Sequence, residues 1–445
     1  MSKHSRRRQQ NPSRKLVPQV QEEFTGKVQT KYGGAGLLRR FVGKLKLSRR
    51  LSRVSGPAPG RCFTTRDFLQ GLLWGLLLGQ QRQSAVAQLG QDPAALLALG
   101  LPDMPSQPSL SRFLSSCTER MGQQVLQINR ALVRELRGPR AVATLDLDGE
   151  VVSTRGNPEG ASYGYNPGRK GAKSYFALLG FWGEWRDILH AELYPGNQAT
   201  VSADMAIRAY RMAKRGLPWG VRRVRLRADV AFYSHKFLAE LEADQVTYCL
   251  AARMTAPLQP LVLGLEYRVL DDKWSIAEVQ YRGHDWERPR RMVVIRERLD
   301  PQNPSPGQLE LLHCEGHSYQ VIVTNATWPP ETVWHFYNGR SRLENIIKES
   351  QTDFGGNHVL SHTWGGNQMW LALSVLAYNL MNWFRERILG QRRQRRTAGW
   401  VRRTLIEIPA TLVRRGRQWR LKLWRDHPAK DLFLQAVVAL EGFSP

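Results

Sequence analysis

The sequence predicts a mixed α/β protein: a mixed sheet flanked by helices, preceded by a helical region and interrupted by a mostly β segment. Three observations carry this. Apolar residues recur at helical spacing between 64 and 137. From 141 the period drops to two, as in AVATLDLDGEVVS. Strand-like and helix-like stretches then succeed one another as far as 254.

Taken in order, residues 1–60 are rich in Arg, Lys, Gly, Ser and Pro, with Glu22 and Glu23 the only acids. They read as a basic, poorly ordered arm. Residues 61–139 read as a helical, DNA-binding domain. TTRDFLQGLLWGLLLGQQ opens on capping residues, and GQQVLQINRALVRELRG (122–138) is apolar at helical spacing with a glycine stop. An ordinary helical bundle and a helix-turn-helix both fit this pattern. Residues 140–254 read as the first part of the core: three strands with Gly/Pro turns, a helix (202–217), a strand (221–232), a helix (236–244) and a strand (245–253). WSIAEVQYR, RRMVVIRERL, LELLHC and YQVIVTN make 255–330 a β-rich insertion domain. The helical pattern returns over 331–392, and 393–445 is a basic region interleaved with Trp and Leu.

Lys and Arg number 65 against 38 Asp and Glu, a net charge of +27. A field of that size favours an anionic polymer as partner, nucleic acid before membrane. The four cysteines (Cys62, Cys117, Cys249, Cys314) are scattered without zinc-ligand spacing, which suits a reducing cytoplasm. The basic N-terminus has no apolar run behind it, so it is not a secretory signal. FLQGLLWGLLLG (68–79) is too short to span a membrane. NQMWLALSVLAYNLMNWF carries Asn367, Gln368, Asn379 and Asn382 and reads as a buried core helix.

Three places offer carboxylates. Asp146 and Asp148, two apart on a strand, share one face. Burying a carboxylate there is costly unless it is paired or holds a metal; a strand-ending or turn-capping Asp is the plain alternative. Asp229 follows the strand RVRLRA, where it can serve a site or cap the next helix. Glu344 lies in HFYNGRSRLENIIKES among cations, Arg340 one turn before and Lys348 one turn after; a solvated face with i,i+4 ion pairs is the plain alternative. Three acids on separate elements are what a pair of divalent ions in phosphoryl transfer requires.

On these residues the sequence resembles the DDE transposases of bacterial insertion sequences, over about 140–425. The most specific match is to a Tyr–Arg–Glu–Lys signature branch: Tyr337, Arg340 and Glu344 keep its spacing, while Gln351 stands at the Lys position, with Lys348 one turn earlier. LDLDGEVVS resembles the first-Asp strand, with Asp148 favoured and Asp146 as alternate; Glu150 stands where the family usually has Ser or Thr. LRADVAF resembles the second-Asp strand. The resemblance implies an RNase H-like core, the fold shared with retroviral integrases. It implies two Mg²⁺ ions per site, replaceable by Mn²⁺, held by Asp148, Asp229 and Glu344. It implies cleavage and strand transfer of double-stranded DNA at terminal inverted repeats, joining to target DNA, a homodimer in a synaptic complex, and a nucleoid-associated cytoplasmic protein.

Tyr337, Arg340, Arg342 and Lys348, with Arg169, Lys170 and Lys173 of the turn-rich segment 163–175, are the expected DNA contacts; a basic hairpin without a ligand is the alternative for the last three. Trp182, Trp185, Trp334 and Trp364 are either base wedges or core. A nuclease on the same core, a DNA-binding protein that has lost catalysis and a basic RNA-binding factor remain as rival functions.

Overall fold

The computed structural model describes residues 21–56, 62–198, 201–299, 312–314, 316–390 and 396–445. The chain begins with a short strand β1 (Gln29–Thr30) and seven helices: α1 (Ala35–Lys44), α2 (Leu47–Leu51), α3 (Thr65–Leu77), α4 (Gln83–Gln88), α5 (Pro93–Leu99), α6 (Gln107–Ser116) and α7 (Glu119–Leu136). Four strands follow: β2 (Val142–Ser153), β3 (Ser162–Tyr163), β4 (Lys173–Trp182) and β5 (Asp187–Pro195). Next come α8 (Ala203–Lys214), β6 (Arg223–Ala228), α9 (His235–Ala243), β7 (Thr247–Ala251) and α10 (Leu258–Leu263). Then β8 (Arg268–Val269), β9 (Trp274–Tyr281), β10 (Arg290–Arg298), β11 (Leu312–Cys314) and β12 (His317–Thr324) lead to α11 (Pro330–Asn338), α12 (Arg342–Phe354) and α13 (Trp364–Arg387). The chain closes with α14 (Ala398–Val401), β13 (Ala410–Arg415), β14 (Gln418–Leu423) and α15 (Lys430–Gly442).

The main sheet runs β3-β4-β2-β6-β7-β12-β10-β9-β8, with β5 paired to β4 and β11 to β12. β2, β6 and β7 are parallel; the other pairs are antiparallel. The three parallel strands need crossovers, and α8 and α9 lie between them in sequence. Capping chemistry sets the helix starts: Thr64 and Asp67 form a reciprocal capping box on α3, and Ser202 and Ser234 cap α8 and α9.

α13 explains its own odd composition. It is buried along nearly its whole length, and its amides close the outer edge of β5. Asn379 accepts from the Ile188 amide at 2.9 Å and donates to the Ile188 carbonyl at 2.8 Å; Asn129 of α7 donates to the same carbonyl. Gln368 accepts from Leu193 N and donates to Ala191 O. A strand edge that would otherwise bury unpaired backbone groups is thereby satisfied. Among the described residues no helix is long and apolar enough to cross a membrane.

Two expectations need correction. The loosely ordered arm over 1–60 fails for β1, α1 and α2. Leu37, Leu38, Phe41 and Leu47 are buried against the rest of the protein, and β1 pairs with β13 from the far end of the chain. These few apolar residues find partners too distant in sequence for composition to reveal. Residues 1–20 lie outside the described residues. The β-rich stretch over 255–330 is not a sheet of its own. β12 pairs with β7 (Ile322↔Ala251, Val323↔Leu250), so its strands extend the core sheet, and α10 adds a helix to it. A small cluster including Cys249, Ile276, Val293, Ile295, Ile322, Val333 and Tyr337 welds these strands to α11.

Candidate active site

Asp148 sits on β2 beside β6, which ends at Ala228, so the sheet delivers Asp148 and Asp229 from neighbouring parallel strands. Asp229 also caps the short 3-10 turn after β6, accepting from the Ala231 amide at 3.1 Å. The capping reading of that residue thus holds for this turn, while Ser234 caps α9 itself. Arg340 follows α11. Its Nη1 donates to Asp148 Oδ2 at 3.1 Å, and its Nη2 lies 3.6 Å from Asp229 Oδ2. One guanidinium thus bridges two acids from two strands.

Glu344 is exposed in the first turn of α12 and shares a cleft of about 420 Å³ with Asp229, Arg340, Tyr337 and Tyr165. Of the plain reading, the solvated face holds and the i,i+4 ion pairs do not. Among the described residues Glu344 makes no ion pair with Arg340 or Lys348, because Arg340 turns to the two aspartates instead.

Electrostatics separate these groups. Burial pushes the Asp148 carboxyl above the ordinary carboxylate range; Arg340 and the Gly149 amide pull against it, and Glu344 adds to the rise. Burial opposes the charge on Arg340, but Asp148, Tyr337 and Asp229 reverse this and raise its pKa. The Tyr337 phenol is raised by burial and hydrogen-bonds Arg340. Burial likewise raises Glu150, whose carboxyl hydrogen-bonds Gln351 on α12. The residue at the signature's Lys position is thus tied to the residue two beyond Asp148, a link that spacing alone did not suggest.

Asp146, the alternate first Asp, has a different environment. It is 1% exposed and takes both Arg227 Nε (2.6 Å) and Nη2 (2.8 Å). Arg227 also donates to the Phe336 carbonyl at 2.8 Å. Gly339 gives this guanidinium room, since a Cβ there would lie 2.2 Å from Arg227 Nη1. The pair holds the end of α11 against the sheet. Arg227 was hidden in the sequence because it reads as one more cation in an Arg-rich strand.

The other expected contacts fall as follows. Arg342, Lys348, Arg169 and Lys170 are exposed, while Lys173 is half-buried with its ammonium 5.3 Å from the Tyr163 ring centre. Tyr337 is 8% exposed and does not present its ring to solvent. Tyr165 does, 61% exposed at the cleft, and the YGYNPG turn was its signal. Trp182 is fully buried, Trp185 lies between Arg137 and Arg140, Trp334 packs on Trp274, and Trp364 meets Tyr175 edge-on. All four make packing contacts within the protein, and of them only Trp182 is fully buried.

Among the described residues, no three His, Cys, Asp or Glu side chains stand close enough together to hold a metal ion. The donor chemistry still fits a hard divalent cation. The acids offer carboxylate oxygens, the ligands Mg²⁺ takes, and a cationic group already bridges two of them.

A family model described as transposase DDE domain group 1 matches residues 13–445. No curated protein matches the sequence. Among solved structures, a piggyBac transposase synaptic complex with hairpin DNA is similar at 11% identity and TM-score 0.46, over 84% of this chain and 76% of that one. The Mos1 strand transfer complex is similar at 17% identity and TM-score 0.17, over 44% and 59%.

Proposed function

Because the chain belongs to the transposase DDE domain group 1 family, we propose that it is the transposase of a bacterial insertion sequence, cutting double-stranded DNA at terminal inverted repeats and joining the freed ends to target DNA. The observation that carries this reading is Asp148 and Asp229 bridged by one Arg340, with Glu344 on the cleft that Asp229 and Arg340 line. Asp148, Asp229 and Glu344 would hold two Mg²⁺ ions, with Mn²⁺ as a substitute. Such ions would supply activation of a water or 3′-hydroxyl and neutralisation of the leaving oxygen.

The chain's own residues do the rest. Strands β2 and β6 fix the two aspartates on a rigid sheet, which is what positioning demands. Arg340 neutralises them meanwhile; released, it offers a planar fork of donors to a phosphate. Tyr337 supports Arg340 from beneath, and Tyr165 takes the exposed aromatic role at the cleft. Arg342, Lys348, Arg169, Lys170 and Lys173 would run along the DNA backbone. The reading extends to cut-and-paste transposition by a homodimer on paired ends, in the nucleoid.

The test uses a labelled element end with Mg²⁺. Asp229→Asn and Glu344→Gln should each reduce cleavage by more than the ~100-fold that loss of an outer-shell partner costs, with DNA binding nearly intact. Equal loss of binding and cleavage contradicts the metal role, and cleavage without joining reduces the protein to a nuclease.

A further inference from the structure

We propose that the β13–β14 hairpin is a second DNA contact, a cationic arm that lies along the phosphate backbone of duplex DNA and shares no residue with the catalytic cleft. The proposal rests on the transposase reading for its partner and on the hairpin's own geometry for the surface.

β13 and β14 pair from Ala410↔Leu423 to Arg415↔Gln418 around a two-residue loop, Gly416–Arg417, with Gly416 at φ +60°. Glycine in the first loop position suits a tight hairpin turn. Directly paired residues share a face. One face carries Ala410, Leu412, Leu421 and Leu423, buried or half-buried, and ends in Arg414 stacked 5.6 Å from the exposed Trp419 ring. The other face carries Thr411, Val413, Arg415, Gln418, Arg420 and Lys422. Arg415, Arg417, Arg420 and Lys422 are exposed, and none is ion-paired to a described residue. No acid occurs between 410 and 425.

β14 is the outer strand of its sheet, and a charged side chain or two is the usual guard of such an edge. This hairpin goes further, with three cations on one face, a fourth, Arg417, in the turn, and an exposed aromatic near its tip on the other face. Same-face residues recur about every 6.6 Å along a strand, giving a row of positive charge rather than a point. Such a row complements a polyanion with regularly spaced charges, and near the tip Arg414 and Trp419 extend the cationic character to the opposite face. Backbone bonds fasten the base of the arm to the N-terminal segment, since β13 also pairs with β1 and Gly33 and Gly34 donate to Ile408 and Ile406.

The experiment measures binding of the full chain to a duplex lacking any element end, in EDTA, as a function of salt. The carboxylates stay intact and no cleavage is read, so failure here is separate from failure of the catalytic reading. Replacing Arg415, Arg417, Arg420 and Lys422 together by Gln should flatten the slope of log affinity against log salt by roughly one unit per cation engaged, ~2–4 in all. Lys at the three arginines should keep the slope, which separates charge from shape. Arg417→Gln alone, at the turn, should cost about one unit without touching the strand pairs. An unchanged slope in the fourfold and single variants overturns the proposal. So does a fourfold variant that alters only the sedimentation of DNA-free protein, which would make the strip a contact between copies of this chain.

Discussion

Asp146 and Asp148 lie two residues apart on one strand, and each meets an arginine. The first pair is closed: Asp146 is 1% exposed, receives two short donors from Arg227, and that arginine spends its remaining reach on the Phe336 carbonyl. The second is open: Asp148 accepts from the neighbouring Gly149 amide at 2.9 Å and takes a single guanidinium donor, at 3.1 Å, from an Arg340 it shares with Asp229, and Glu344 shares that arginine's cleft. A sealed pair, buried and bonded to both the sheet and α11, holds structure. An arginine divided between acids from different strands leaves those acids able to exchange partners, which chemistry needs. The same residue types in the same pattern thus meet opposite environments: one acid is sealed to a single arginine, the other shares its arginine with a second acid.

The comparison can be broken from either side. Asp146→Ala should cost about 3–5 kcal/mol of stability, because Arg227 stays buried without a counter-charge; denaturant melts read this. Asp146→Leu with Arg227→Met should recover most of the loss. Arg340→Ala should cost less, about 2 kcal/mol, since the site is part-solvated. Added Mg²⁺ should raise the melting temperature of that variant by more than it raises the parent's. Equal shifts would separate Arg340 from the acids proposed to hold metal.

A third acid–arginine cluster sharpens the contrast at acid pH. Burial works against Glu242, yet hydrogen bonds from Arg290, Tyr248 and Arg288 hold its carboxyl down at about 2. Its folded pKa is depressed, so its stabilising effect is complete above the ordinary value of 4.5 and is lost as pH falls toward 2. Glu242→Gln should remove that stability at neutral pH and flatten the acid-unfolding profile between those values, because Glu242 ties α9 to β10. The smallest effect is expected at Gln351. Gln351→Lys turns its hydrogen bond with Glu150 into an ion pair and should add at most about 1 kcal/mol, a shift visible only in careful melts.

The sequence revealed the parts of this arrangement that have a local cause. Alternation in ATLDLDGEVV predicted the strand bearing Asp148, and the break after RVRLRA placed Asp229 at a strand end. The asparagines within an apolar run marked α13 as buried, although their duty, closing the β5 edge, needed the fold. Long-range pairings stayed hidden. Nothing near Asp146 signals that Arg227 will neutralise it, since that pair forms only when β2 and β6 lie side by side. Arg340 looked like a partner for Glu344 one turn away, and the sheet offered it two aspartates instead. Glu150 and Gln351 each looked like an isolated departure from a pattern, and their contact makes them one feature. The stretch over 29–51 read as an arm because its few apolar residues pack against helices and a strand from elsewhere in the chain.

The most direct test compares Asp148→Asn with Asp146→Asn in metal-dependent cleavage of a labelled element end, each normalised to folded protein and to bound DNA. The account predicts that Asp148→Asn binds DNA but does not cut it, while Asp146→Asn, though less stable, cuts at close to the parent rate below its melting temperature. Cleavage that survives Asp148→Asn and vanishes in Asp146→Asn would contradict it.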